Sequence, residues 1–169
     1  VAPKVGGAKL ADGSHLPADG QLAGTPAVLF ERDVCAVSYQ GKVGCFDAAT
    51  GVARWTKELS SDVGVAVDQR FVFAADEKGA VAAFTRDGGQ SAWKTGSLAF
   101  RRLSTPASYG RAVAVGDYQG QIHFLSREDG ALIGRVSTDG SPIVSVPVVA
   151  GANLIFQTQS GTVTALAVE

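Results

Sequence analysis

The chain has 169 residues, no Met, two Cys and few charges. A sequence that lacks Met and begins Val-Ala-Pro is expected to be processed or cut from a longer product. Val1 to Leu10 shows neither an apolar core region nor a cleavage site, so no signal peptide is visible. Only 18% of residues are charged, 15 basic against 16 acidic. That balance argues against nucleic acid or an anionic membrane held mainly by charge, which needs a basic surplus. No apolar run approaches the roughly 18 residues of a membrane-crossing helix. Neither Cys belongs to a CxxC or has a His at ligand spacing, which excludes a zinc site. GxSxG, HExxH and phosphate-loop motifs are absent, and the Asp-rich stretches lack calcium-loop spacing. His15, in a Gly/Ala-rich stretch, and His123, in an alternating run, read as structural. No catalytic residue, cofactor or metal is expected.

What is abundant is glycine, 21 residues, and apolar side chains, 46%. The length suggests one ordinary domain. A repeated frame divides it further: Gly41-Lys-Val-Gly-Cys-Phe46, Gly79-Ala-Val-Ala-Ala-Phe84, Gly120-Gln-Ile-His-Phe-Leu125 and Gly161-Thr-Val-Thr-Ala-Leu166. Gly51, Gly89 and Gly130 follow the first three at a constant offset. Trp55 and Trp93 follow the first two, with Gly134 at that place in the third. Thr25-Pro26, Thr105-Pro106 and Val146-Pro147 precede their glycines, and Val65 holds that offset in the second copy.

A unit of about 40 residues suits a four-stranded propeller blade or a pair of helices. The runs Arg70-Phe-Val-Phe-Ala-Ala75, Ala112-Val-Ala-Val115 and Asn153-Leu-Ile-Phe156 are short, β-branched, aromatic or small, and bounded by turn residues. No helical spacing persists over three turns. The fold is therefore read as all-β, a propeller of four-stranded antiparallel blades. Many runs are apolar on both faces, as a sheet sandwiched between two neighbours requires.

Asp76-Glu-Lys-Gly79 and Asp117-Tyr-Gln-Gly120 carry Asp and Gly at the first and fourth turn positions; Ser38-Tyr-Gln-Gly41 and Thr158-Gln-Ser-Gly161 are weaker relatives. In the first three this predicts a type I turn followed by a left-handed Gly bulge. The register then pairs Val37 with Val43, and Cys35 with Cys45 at a non-hydrogen-bonded position, where strands approach most closely. Two readings of that pair stand: small buried core residues, or a cross-strand disulfide in an oxidising compartment. Asp47, Asp87 and Asp129 sit near the turn into the outer strand and suit turn chemistry.

The segment Cys45-Phe-Asp-Ala-Ala-Thr-Gly-Val-Ala-Arg-Trp55 resembles the repeat of quinoprotein-type (PQQ-like) propellers, Ala-x-Asp-x-x-Thr-Gly-x-x-x-Trp. Asp47 and Thr50 would tie the turn, Gly51, Gly89 and Gly130 would supply the bend, and Trp55 and Trp93 would dock on the neighbouring blade. The second copy has Thr85 for the Asp, and the third loses the Trp. Across residues 22–169 the chain is similar to the C-terminal half of the BamB family, lipoproteins of outer-membrane β-barrel assembly. The similarity includes Ser60 to Arg70 and Leu98 to Pro106.

Members of that family are eight-bladed and begin with a lipidated Cys. The resemblance therefore implies a partial ring of about four blades (23–59, 60–99, 100–140 and 141–169). Residues 1–22 would be the end of a preceding blade and a linker. It implies a non-enzymatic scaffold at the periplasmic face of the outer membrane that binds the periplasmic (POTRA) domains of BamA, and unfolded outer-membrane proteins as a further partner class. Asp19 is the nearest acid to the loop before Thr25-Pro26, where the family often carries acidic partner contacts. Phe100, Arg101, Arg102 and Leu103, in the loop Ser97 to Ser104, suit an interface hot spot. The other reading of that loop is a solvated connection whose Phe100 plugs the gap between blades. An open half-ring, or pairing with a second copy, is expected of four blades alone. The alternative is a piece of a quinoprotein dehydrogenase or of a ligand-binding propeller; neither an adjacent cysteine pair nor a free stacking Trp is present to favour it.

Overall fold

The computed structural model describes residues 27–39 and 41–167. Asp19, His15, Thr25-Pro26 and the expected linker lie outside them. Among the described residues, fifteen strands form four antiparallel sheets in chain order. The first holds β1 (Val28–Phe30), β2 (Asp33–Val37), β3 (Lys42–Asp47) and β4 (Ala53–Glu58). The second holds β5 (Val65–Val67), β6 (Phe71–Ala75), β7 (Val81–Thr85) and β8 (Ser91–Thr95). The third holds β9 (Ala107–Tyr109), β10 (Ala112–Gly116), β11 (Gln121–Ser126) and β12 (Leu132–Ser137). The fourth has three strands among the described residues, β13 (Val148–Ala150), β14 (Asn153–Gln157) and β15 (Val163–Leu166). The short first strands touch one another in turn, β1 on β5, β5 on β9 and β9 on β13. They therefore line the inner side of a curved array of blades.

Apolar area lies in the seams rather than in one core. On β6, Phe71, Phe73 and Ala75 face the third sheet and join Val113, Val115 and Leu125; Val72 and Ala74 face the first, with Cys35, Val43 and Trp55. The third seam packs Ala112, Ala114, Ile122 and Phe124 against Ile143, Leu154 and Phe156. Small residues on both faces let successive sheets stack closely, and this is why the charge fraction is low.

The hairpins between second and third strands follow from side-chain capping. Asp76 Oδ1 accepts from the Lys78 and Ala80 amides, and Gly79 N donates to Asp76 O at 2.9 Å with Gly79 at φ 85°. Asp117 does the same for Gln119, Gln121 and Gly120. The fourth copy, which the sequence placed among the weaker relatives, makes this turn as well. Gly161 has φ 95°, and Thr158 Oγ1 replaces the carboxylate in accepting from Thr162 N. Gly41 differs from expectation, because its backbone is not left-handed. Its lack of Cβ serves close approach, since a Cβ there would collide with the Ser38 hydroxyl. The register is nonetheless Val37↔Val43 and Cys35↔Cys45. The two cysteines form a disulfide with Cα atoms 4.1 Å apart, buried in the first seam.

Each third-to-fourth strand pair carries a β-bulge at the same place: after Cys45/Trp55, after Ala83/Trp93 and after Phe124/Gly134. The unpaired residue (Arg54, Ala92 or Ile133) sits just before the Trp position. It rotates that position onto the face of the next blade.

Candidate protein-interaction face

The blades present two rims of different character. On one, the turns between third and fourth strands lock the first blade to the second and the second to the third. Asp47 Oδ1 accepts from the Thr50 amide and hydroxyl and from Ala49 N, and Gly51 closes the turn at φ 71°. These Thr50 bonds hold the Asp47 carboxyl below its usual range. Trp55 Nε1 donates to the carbonyl of Arg86 in the second blade at 2.6 Å, and Trp93 Nε1 to that of Arg127 in the third at 2.9 Å. Each indole lies over the Gly of the receiving turn. A Cβ on Gly89 would come within 2.5 Å of Trp55, and one on Gly130 within 2.5 Å of Trp93. The same arginines reach back across the seam: Arg127 to Asp68 at 2.6 Å, and Arg86 to Asp33 at 3.7 Å. Asp129 accepts from Ala131 N within its turn, whereas in the second blade Thr85 Oγ1 accepts from Gln90 N and exposed Asp87 lies 3.9 Å from the Arg86 guanidinium.

The opposite rim is built from the second-to-third strand hairpins and the connections between blades, stitched by backbone bonds. Ser61 N donates to Ser38 O, Glu77 N to Ser60 O, Phe100 N to Lys78 O, Tyr118 N to Arg101 O and Ile143 N to Asp117 O. The connection 97–104 carries Phe100, the most exposed large hydrophobic side chain among the described residues. Leu98 and Leu103 drop into the second seam, Leu103 being only 7% exposed. Leu103 therefore belongs to the core and not to a partner surface. Phe100 is 91% exposed, so the plug expected of it is supplied by its two leucine neighbours. Both Phe100 (φ 63°) and Arg102 (φ 50°) are left-handed, an arrangement costing about 1–3 kcal/mol per residue.

Arg101 anchors this loop. Its guanidinium meets buried Asp117 at 2.9 Å and the Gln119 side chain at 3.1 Å. Arg102 lies over the Tyr118 ring at 5.4 Å. Beneath them, His123 is fully buried; its Nε2 and Asp117 Oδ2 are 2.8 Å apart, while Arg135 Nε donates to Nδ1 at 3.2 Å. A ring that accepts at Nδ1 and donates at Nε2 is neutral. Burial holds His123 below its ordinary 6.5, against the pull of Asp117. Burial raises Asp117, but bonds from His123, Gln121, Arg101 and Gln119 outweigh it and keep the carboxyl low.

The sign of the acid response follows from His123. Unfolded chains take up its proton near pH 6.5, whereas the folded ring resists it. Unfolding free energy is therefore full above about pH 6.5 and falls below it, by at most about 1.4 kcal/mol per pH unit. Urea titrations between pH 7.5 and 5 should show this decline, and His123→Gln, which still donates to Asp117, should flatten it.

Sequence spacing alone does not reveal Asp117, His123 and Tyr118 as supports of the loop. The available signal was the Asp-x-x-Gly turn, which placed Asp117 but not the arginine that it receives. Asp139 forms a second polar nest on this rim: Ser160 Oγ, Ser141 Oγ and Ser141 N donate to it, with Thr158 Oγ1 at 3.0 Å. Bonds from Ser160, Thr162 and Ser141 hold its carboxyl far below the usual range.

Seams bolted by Trp and Arg on one rim and an exposed, braced loop on the other define the chain as part of a β-propeller of the quinoprotein-repeat class. The family model described as "Outer membrane protein assembly factor BamB" matches residues 9–95 and 97–169. The chain belongs to the BamB family. It is 44% identical over 142 residues to the BamB of Bordetella pertussis, covering 83% of this chain and 36% of that protein. It thus spans about a third of the length of such curated relatives. The crystal structure of BamB from Moraxella catarrhalis superposes with a TM-score of 0.79 at 30% identity, over 85% of this chain and 43% of that one. A quinohemoprotein alcohol dehydrogenase from Comamonas testosteroni shares the fold at a TM-score of 0.58 and 19% identity, over 66% of this chain and 20% of that one.

Proposed function

We propose that this chain is part of a non-enzymatic scaffold in outer-membrane β-barrel protein assembly. It binds the periplasmic domains of BamA through the rim of inter-blade connections and so assists insertion of outer-membrane proteins. The observation that carries this is the 97–104 connection, braced by Arg101 on buried Asp117 while Phe100 stands in solvent. A rigid scaffold presenting exposed loops fits recognition better than catalysis. The Bordetella pertussis relative and the matching family model are both named as outer membrane protein assembly factors. A buried disulfide suits an oxidising compartment, in keeping with the periplasmic face of the outer membrane and a lipid anchor on the full-length protein.

The test is retention of the full-length protein carrying this chain on immobilised BamA periplasmic domains. Saturable retention is expected, and its absence overturns the reading. A tight complex with pyrroloquinoline quinone and calcium, seen as a spectral change, would favour the dehydrogenase alternative instead.

A further inference from the structure

Resting on that reading, we infer that Phe100 is the central anchor of the partner contact, and that it enters an apolar pocket bordered by carboxylates. The first support is conformational. The backbone at Phe100 and Arg102 is left-handed, and the loop is held so by Phe100 N to Lys78 O, Tyr118 N to Arg101 O and the Arg101–Asp117 ion pair. These fix the backbone of Phe100 and its neighbours, while its ring stands almost wholly in water. A residue kept in a sparsely populated conformation, with its apolar side chain solvated, is placed for something outside the chain.

The second support is continuity. The bonds Tyr118 N to Arg101 O and Ile143 N to Asp117 O join three neighbouring segments of the rim. They bring Tyr118 (49% exposed) and Val144 (55% exposed) into the same patch as Phe100. An exposed aromatic centre with a second aromatic and an Arg beside it matches the composition of energetic anchors in protein interfaces.

The third support is charge. Among the described residues, no carboxylate lies within ion-pair distance of Arg102 or Lys78. Two of the acids nearby are paired, Asp117 with Arg101 and Asp76 with Lys94 at 3.1 Å, while Glu77 accepts from the neutral Ser60 hydroxyl and keeps its charge. Arg102 and Lys78 against Glu77 leave the rim around Phe100 with a small positive excess on a chain of net charge −1. Its complement is an acidic border rather than a basic one. Because the loop is pre-braced, its binding carries little ordering cost, which favours a protein pocket over insertion into a fluid bilayer.

The experiment uses the full-length protein with a photo-crosslinking phenylalanine analogue at position 100, and at Ile133 on the outer edge as a control. Binding of the unmodified protein and of Phe100→Ala to the BamA domains is measured in parallel. Phe100→Ala is expected to keep the wild-type Tm, because the residue is 91% exposed, and to bind about tenfold more weakly or worse. Position 100 should give a protein adduct that maps to an apolar residue flanked by Asp or Glu, and position 133 should not.

If the wild type binds BamA while Phe100→Ala binds equally well and position 100 gives no adduct, the anchor is refuted and the scaffold reading stands. If BamA is not bound but position 100 labels an acidic-rimmed pocket on another envelope protein, the reading fails and the anchor stands. Adducts to lipid alone, or none at all from position 100, overturn the anchor.

Discussion

Replacing Trp93 by Ala is expected to destabilise the protein by about 3–5 kcal/mol, the range for removing a buried Trp. The indole is 8% exposed, lies 5.9 Å from the Phe73 ring and fills the seam between second and third blades together with Leu98 and Leu125. Its Nε1 also supplies the Arg127 carbonyl with a 2.9 Å bond across the seam. Gly130 cannot close the gap, because its backbone at φ 73° is shaped to the ring and carries no side chain. Trp93→Phe separates the two contributions: it keeps most of the packing, loses the hydrogen bond and should cost nearer 1–2 kcal/mol. Each blade touches only its neighbours, so the loss is local, and the unfolding curve should split rather than merely shift. Urea unfolding followed by circular dichroism and by Trp55 fluorescence reads both effects. Coincident, unshifted transitions would contradict the role given to Trp93.

That lock was partly legible in the sequence, and the parts differ in kind. The offset from Gly79 to Gly89 and Trp93 survives as a pattern because each residue answers a local need: a capped turn, a left-handed bend, a large ring. The bulge that aims the ring leaves no such trace, since Arg54, Ala92 and Ile133 have nothing in common but position. The arginine bolts are hidden for another reason. Arg86 and Arg127 hold matching positions, but Asp33 opens a strand while Asp68 lies in a turn, so their acids share no register.

The loop 97–104 shows where periodicity ends. Leu98, Phe100 and Leu103 are all apolar, and composition cannot say which two fill the seam. Backbone conformation decides it: the left-handed turn at Phe100 sends that ring outward while the leucines go in. The four-unit repeat, the turn register and the cysteine pairing depend on neighbours in sequence or directly across one hairpin. The face offered to a partner depends on how three such units stitch together along a rim.

Removing the disulfide should be the other large effect, concentrated in the first seam. Cys35 and Cys45 are separated by 10 residues, and closing a loop of that size contributes about 3 kcal/mol by restricting the unfolded chain. Both side chains are fully buried among Val43, Val65, Val72 and Trp55, so the double change to Ala also removes packing against the second blade. The Cys35→Ala/Cys45→Ala protein should therefore lose about 3–5 kcal/mol. Reduction of the wild type under denaturing conditions, followed by refolding with thiols kept reduced, should cost only the loop-closure part. Comparing the two by urea titration isolates packing from cross-linking.

Intact-mass alkylation without reductant checks the premise: denatured, freshly purified protein should take up no label. Two labelled thiols would show the pair to be small core residues, and the expected loss would then shrink to the packing contribution alone. The second and third seams contain no part of this bond, so the Trp93 environment should persist after reduction under conditions where the first blade has already opened.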